Sequence, residues 1–325
     1  MPFLAFWRWS WTRSSSQLDE KFGGVSMAPE DVLDRTPNVL SRDQQESYFA
    51  NGYLLIEQAI DGPVLEKLRA ATAQAINASR TVSISDATWD LETGHTTDEP
   101  KLRRLTSPND YDDTYWEYAS SPAISGILTD LIGPNIKFHH SKLNFKWSGG
   151  GEEVKWHQDI GFWPHTNFTP CTVGLYLEDC TDDQGPLGVI AQSNQGPLFD
   201  QYSEDGEWVG CLSDDDVGRL DLSKETYLPG PAGSITIHNC RTVHGSRKNQ
   251  SERPRPLLLN AYAAADAMPY TVNPAASSKY DQHIICGSPA RWARHDAGTC
   301  LIPPDWSGGY TSIFALQQEE DQPTM

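Results

Sequence analysis

No apolar run in the chain approaches the roughly 20 residues that a membrane-spanning helix needs, which excludes an integral membrane protein of the helical kind. Cysteine is scarce: six in 325 residues, with no Cys-x-x-Cys pair. That is too few, and wrongly spaced, for a disulfide framework or a zinc ribbon, so free thiols in a reducing, cytoplasmic compartment are expected. Cations are short too, with 25 Lys and Arg against 44 Asp and Glu, a formal net charge of −19. A field of that sign repels polyanions and argues against nucleic-acid and anionic-membrane partners. No internal repeat is visible, and the oligomeric state is not legible. The Trp-rich start, with Arg8 and Arg13, lacks the apolar core and small-residue cleavage site of a secretory signal. Residues 1–40 are expected as a flexible leader, with Met27 as an alternative start, and 317–325 as a frayed acidic tail.

What remains is ample for a folded core: 38% hydrophobic residues, 11 of them Trp, in a chain long enough for one large domain. Residues 41–316 are assigned to it: a helical layer over 41–132, a β core over 133–265 and a C-terminal extension over 266–316. Ser41 and Gln44 form a capping-box pattern and Gly52 a stop, predicting a helix between them. A short strand at 53–56 and a helix over 62–78 follow, the latter with Val64, Leu65, Leu68, Ala71 and Ala75 on one face. Residues 80–109 show no steady period and are expected as a long loop; 113–132 reads as a helical pair. Strand-type runs then appear at 136–146, 172–177, 234–238 and 256–262. Helices first and strands later predict a mainly β fold with flanking helices, a sandwich or barrel.

Charge is uneven. Residues 200–225 hold nine acids, the signature of a solvated loop, whereas 241–255 hold five cations against Glu252 alone. An anion is the expected occupant of the basic stretch.

Within Trp156-His157-Gln158-Asp159 an imidazole and a carboxylate stand two residues apart, and on extended backbone such residues point to one side. His244 follows 87 residues later. Two histidines and one carboxylate on one face of an iron leave positions for co-substrate and O₂. Arg255, inside the basic stretch, has the fork that clamps carboxylates, and Ser246 could donate to the same group. His238 competes with His244 as ligand and Arg253 competes with Arg255 as clamp; spacing favours His244 and Arg255.

His157-x-Asp159, His244-Gly245-Ser246 and Arg255 together resemble the signature of the phytanoyl-CoA dioxygenase family of Fe(II)/2-oxoglutarate oxygenases. The likeness runs from about 41 to 262 and includes Gly52-Tyr53-Leu54-Leu55-Ile56. It implies a double-stranded β-helix, the cupin-like jelly roll. It further implies that His157, Asp159 and His244 are the catalytic iron ligands, and that Arg255 and Ser246 anchor 2-oxoglutarate. The run 140–146 with Trp163 looks most like the ectoine-hydroxylase branch. By that likeness Lys142 and Asn144 are further 2-oxoglutarate contacts, while His140 and Trp163 face the substrate. His140 stands where that branch has Gln, and the segment 185–194 departs from the family pattern, so ectoine itself is not implied.

The activity expected is hydroxylation of a small polar molecule with O₂, releasing succinate and CO₂. Desaturation, epoxidation or ring chemistry would use the same residues, and a non-catalytic metal-binding jelly roll is the reading from another class. Asp159 favours oxygen transfer, since related halogenases carry a small residue there. Lys142, Lys146, Arg241 and Arg247 are candidates to bind a carboxylate or phosphonate, and Trp163 and Tyr262 to stack on a cation.

Overall fold

A computed structural model describes residues 27–148, 152–306, 313, 314 and 317; the expectations for 1–26 and for 318–325 lie outside the described residues. The first element is a short helix, α1 (Pro29–Leu33), with Val32 buried. The chain then crosses to Asp130, whose carboxylate accepts the backbone N–H groups of Asn38, Val39 and Leu40. The fold therefore begins well before Ser41. The expected leader over 1–40 is corrected for 27–40, because its anchor lies some 90 residues away in sequence.

Helix α2 (Arg42–Asn51) starts at the expected capping box and ends at Gly52, whose φ of 84° suits glycine. It feeds β1 (Tyr53–Ile56). In α3 (Gly62–Ala78) the Asp61 carboxylate accepts the Val64 N–H, and Leu65, Leu68, Ala71 and Ala75 are buried. The region expected as a loop instead contains β2 (Trp89–Leu91) and β3 (Leu102–Thr106). Leu102 and Leu105 are fully buried, and an ion pair from Arg103 to Asp90 at 2.7 Å shelters the intervening charge. Short strands rich in Arg and Asp carry no alternation that a sequence reading detects. Helices α4 (Pro108–Tyr111), α5 (Asp113–Ala119) and α6 (Pro122–Ile132) complete the helical layer.

The strands that follow are β4 (Ile136–Lys146), β5 (Val154–His157), β6 (Cys171–Tyr176), β7 (Gly188–Ile190), β8 (Glu225–Tyr227), β9 (Ile235–Asn239), β10 (His244–Ser246), β11 (Arg255–Ala264) and β12 (Ile284–Cys286). They form two antiparallel sheets. The larger runs β1-β9-β6-β11-β4-β3-β2, with β12 also on β4; the smaller runs β5-β10-β7-β8. The fold is the double-stranded β-helix with flanking helices.

Alternation decides which residues reach the space between the sheets. Val173, Leu175, Ile235, Ile237, Leu258 and Tyr262 pack with the helices in one core, so Thr172, His238, Leu257 and Leu259 turn inward. In β4 the parity changes. Phe138 and Leu143 both join the helix-side core although they stand an odd five positions apart. The pairing with β11 explains this: Tyr262 opposes Phe138 and Ala261 opposes His140, leaving His139 as an extra residue. That bulge swings His140, Lys142 and Asn144 to the inner face.

The C-terminal region is folded in part. Gln317 is buried, accepting the Lys155 N–H and donating to Gly210 O. It belongs to the body of the protein, which corrects the expected tail at its first residue. Among the described residues no helix is long and apolar enough to cross a membrane.

Candidate active site

His157 ends β5, and His244 opens β10 directly opposite it in the register. Asp159 follows in a single 3₁₀ turn, Asp159–Gly161. Its Oδ1 lies 3.9 Å from His157 Nε2 and 3.7 Å from His244 Nε2. Among the described residues this is the one group of three or more such side chains whose ligand atoms, all within 4.8 Å of one another, could hold a metal ion.

Each member is oriented by a second contact. His157 Nδ1–H donates to Lys155 O and His244 Nδ1–H to Thr242 O, both at 2.9 Å. A carbonyl can only accept, so the hydrogen sits on Nδ1 and each Nε2 lone pair is left for a metal. Thr242 is itself tied down, donating its hydroxyl to Gly52 O at 2.8 Å. The other oxygen of Asp159, Oδ2, accepts from Thr172 Oγ1 at 2.9 Å and from His238 Nε2 at 3.3 Å. His238 thus sits beside the triad with its ring 4.1 Å from that of His244, and its Nε2 is engaged by Asp159.

Electrostatics suit a cation. Burial pushes His157 down to about 4 and His244 well below its usual value, so both imidazoles are neutral. Burial alone would raise the Asp159 carboxyl. His244, the hydrogen bond from His238 and the Lys142 ammonium outweigh it and hold that carboxyl well below the usual range. Two neutral imidazoles and a carboxylate are the donor set a divalent ion needs, and they fit Fe(II).

Two small lobes meet at His157, Asp159 and Lys142. The first, about 60 Å³, is lined by Asn144, Thr172, Leu187, Ser246, Arg255, Leu257 and Leu259 among others. Arg255 is 4% exposed, and its Nε and Nη1 find no hydrogen-bond partner among the described residues. A buried guanidinium left in that state is costly, and a carboxylate is a group that would satisfy it. Arg253 is exposed, 3.5 Å from Gln184 Oε1. Lys146 lies outside the lobe and donates to the carbonyls of Ser246 and Arg247.

The second lobe, about 40 Å³, is lined by Arg104, His140, Lys142, Phe162, Trp163, Ala275 and Ile313 among others. Trp163 is at once wall and core: it packs with Ile160, Phe162, Cys240, Ile313 and Phe314. Burial pushes Lys142 down to about 8 and His140 to about 3.

Arg104 lies in 80–109, where no steady period marks a strand; the apolar Leu102 and Leu105 flanking Arg103-Arg104 are the signal the sequence offers. Ile313, which lines both lobes, had none. Like Lys146, three more residues expected near the substrate lie elsewhere. Arg241 sits over the Phe168 ring and donates to Gly196 O. Arg247 is exposed and pairs with Glu225 at 2.7 Å. Tyr262 lies deep in the helix-side core, its hydroxyl donating to Ala119 O.

The sequence pattern of the family described as phytanoyl-CoA dioxygenase (PhyH) matches residues 48–257. A probable alpha-ketoglutarate-dependent hypophosphite dioxygenase of Stutzerimonas stutzeri is 34% identical over 229 residues, covering 70% of this chain and 80% of that protein. An L-proline trans-4-hydroxylase of Streptomyces griseoviridis is 26% identical, covering 68% and 85%. Among solved structures, EctD from S. alaskensis with 2-oxoglutarate and 5-hydroxyectoine aligns with a TM-score of 0.61 at 18% identity, covering 83% of this chain and 89% of that one. That likeness shows the fold.

Proposed function

The chain belongs to the phytanoyl-CoA dioxygenase family and is an Fe(II)/2-oxoglutarate-dependent dioxygenase; from that premise we propose that it hydroxylates a small polar molecule in the second lobe. The observation that carries the reading is the meeting of two buried lobes at His157 and Asp159, one of them ending on the unpartnered Arg255.

In this reading His157, Asp159 and His244 hold the ferrous ion. Arg255 clamps the far carboxylate of 2-oxoglutarate, with Ser246, Asn144 and Lys142 beside it. When bound, the iron and 2-oxoglutarate supply the oxidising chemistry, consuming O₂ and releasing succinate and CO₂. The chain's own residues orient and insulate. Thr172 and His238 fix the Asp159 carboxylate, while Leu187, Leu257 and Leu259 keep water from the co-substrate. His140 and Trp163 form a wall for the substrate. A lobe of about 40 Å³ favours a small molecule over a long acyl thioester, and the names of the hypophosphite and L-proline relatives support that choice. Asp159 fills the coordination position that halogen transfer would need open.

The test is 2-oxoglutarate-dependent succinate release, screened over a small-molecule library. Wild type with ferrous ion is expected to release succinate in step with a hydroxylated product. His157→Ala and His244→Ala should abolish release while leaving the melting curve cooperative. Full activity in both variants would refute the ligand assignment.

A further inference from the structure

This inference rests on the reading that the first lobe takes 2-oxoglutarate; it concerns what the second lobe takes. The walls of the two lobes carry three cations, Arg104, Lys142 and Arg255, against a single carboxylate, Asp159. In a chain with a net charge of −19 that concentration runs against the global trend. A ferrous ion and the 2-oxoglutarate dianion cancel one another, so filling the first lobe leaves the positive excess in place. Uncompensated charge at a buried site is costly, and an anion in the second lobe removes that cost.

Two side chains are built to receive it. Arg104 is 3% exposed. Its Nε donates to Asn144 Oδ1 at 3.0 Å, as their positions opposite one another on β3 and β4 dictate. Its Nη2 is buried and has no hydrogen-bond partner among the described residues. The second is His140. The bulge brings its Nδ1 within 2.7 Å of His139 Nδ1. Both imidazoles are neutral, since burial pushes both down, so one Nδ1 carries the hydrogen and the other accepts it. His139 Nε2 is buried without a partner among the described residues. Buried N–H groups are left unpaired more rarely than acceptors are, so His139 keeps its hydrogen on Nδ1 and donates it to His140. His140 is thereby fixed with its hydrogen on Nε2, a donor on the wall of the second lobe.

We propose that the second lobe is an oxyanion receptor, in which Arg104 and His140 bind the carboxylate, phosphinate or phosphonate group of a small substrate. Trp163 and Phe162 then cover the remainder of the molecule. His139 acts as a positioning residue, setting the tautomer of its neighbour.

The test is anaerobic calorimetry on the full chain loaded with Fe(II) and saturating 2-oxoglutarate, so that binding is read without turnover. Acetate, hypophosphite and methylphosphonate represent the carbon and phosphorus oxyanions; acetamide and dimethyl sulfone are uncharged counterparts. At least one oxyanion should bind tenfold or more tightly than its uncharged counterpart, and the order among them identifies the source of the anion. Arg104→Gln and His140→Phe should each weaken that binding at least tenfold, and His140→Gln, which keeps a donor, should recover most of it. Uncharged probes binding as well as oxyanions would overturn the proposal, as would His140→Phe binding at wild-type strength. If Arg104→Gln loses 2-oxoglutarate but keeps the oxyanion, Arg104 belongs to the first lobe and the proposal falls. Failure of the wild type to bind 2-oxoglutarate at all would instead sink the reading of the first lobe.

Discussion

Thr172 and His238 stand opposite one another on neighbouring strands and hydrogen-bond the same atom, Asp159 Oδ2, at 2.9 and 3.3 Å. The larger sheet thus holds from behind a carboxylate that sits in the turn following β5 of the smaller one. With Oδ2 committed, Oδ1 is the oxygen turned to His157 and His244. Thr172→Val keeps the shape and removes one of the two bonds. Outer contacts of this kind are worth roughly 10- to 100-fold in metal affinity. Competition with a ferrous chelator should therefore show affinity lower by at least about tenfold, with a stability loss of only ~1 kcal/mol. Unchanged affinity would show that Thr172 does not position the carboxylate.

Arg255→Lys keeps the charge and loses the fork. Titration of 2-oxoglutarate into the variant should show binding weakened by roughly 1.5–3 kcal/mol, the range for a charged hydrogen bond. Arg253→Lys, exposed and outside the lobe, should bind as wild type. The reverse pattern would move the clamp to Arg253.

Trp163→Ala is expected to do two things at once. The residue is 6% exposed and belongs to the apolar cluster around Ile160 and Phe162, so truncation should cost on the order of 3–5 kcal/mol. It also lines the second lobe, so succinate release should outrun product formation. A destabilised variant that stays fully coupled would leave Trp163 a core residue alone.

Acid should weaken the metal-free fold through its buried histidines. Burial pushes His165 from an ordinary 6.5 down to about 4 and His140 to about 3. Below 6.5 the unfolded chain takes up protons there that the folded chain refuses. This contribution is complete above about pH 6.5 and drains as pH falls towards 4 for His165 and 3 for His140, by up to ~1.4 kcal/mol per pH unit for each. Urea unfolding of wild type and His165→Phe at pH 7 and pH 5 isolates the effect. Wild type should lose more stability than His165→Phe between pH 7 and pH 5, and equal losses would contradict it.

Much of this was legible in the order of residues, for reasons that are local. The capping box at Ser41, the left-handed stop at Gly52 and the apolar face of 62–78 act within a turn or two of helix, so the chain announces them. His157 and Asp159 are two residues apart, and spacing alone suggested that they share a side. Strand 136–146 has the bounds that its composition indicated. What stayed hidden depends on pairing between distant segments, for which no residue carries a local mark. Register set His244 against His157 across 87 residues of sequence. Pairing with β4 turned an apparent loop into β3 and delivered Arg104 to the site. A one-residue bulge at His139, visible only as a slip against β11, reversed the faces of β4 and brought His140, Lys142 and Asn144 inward. Which groups can do the chemistry follows from residue order alone, because side-chain type is written there. Which of them meet follows from the folded chain, because long-range hydrogen-bond register and the burial of the opposite face fix it.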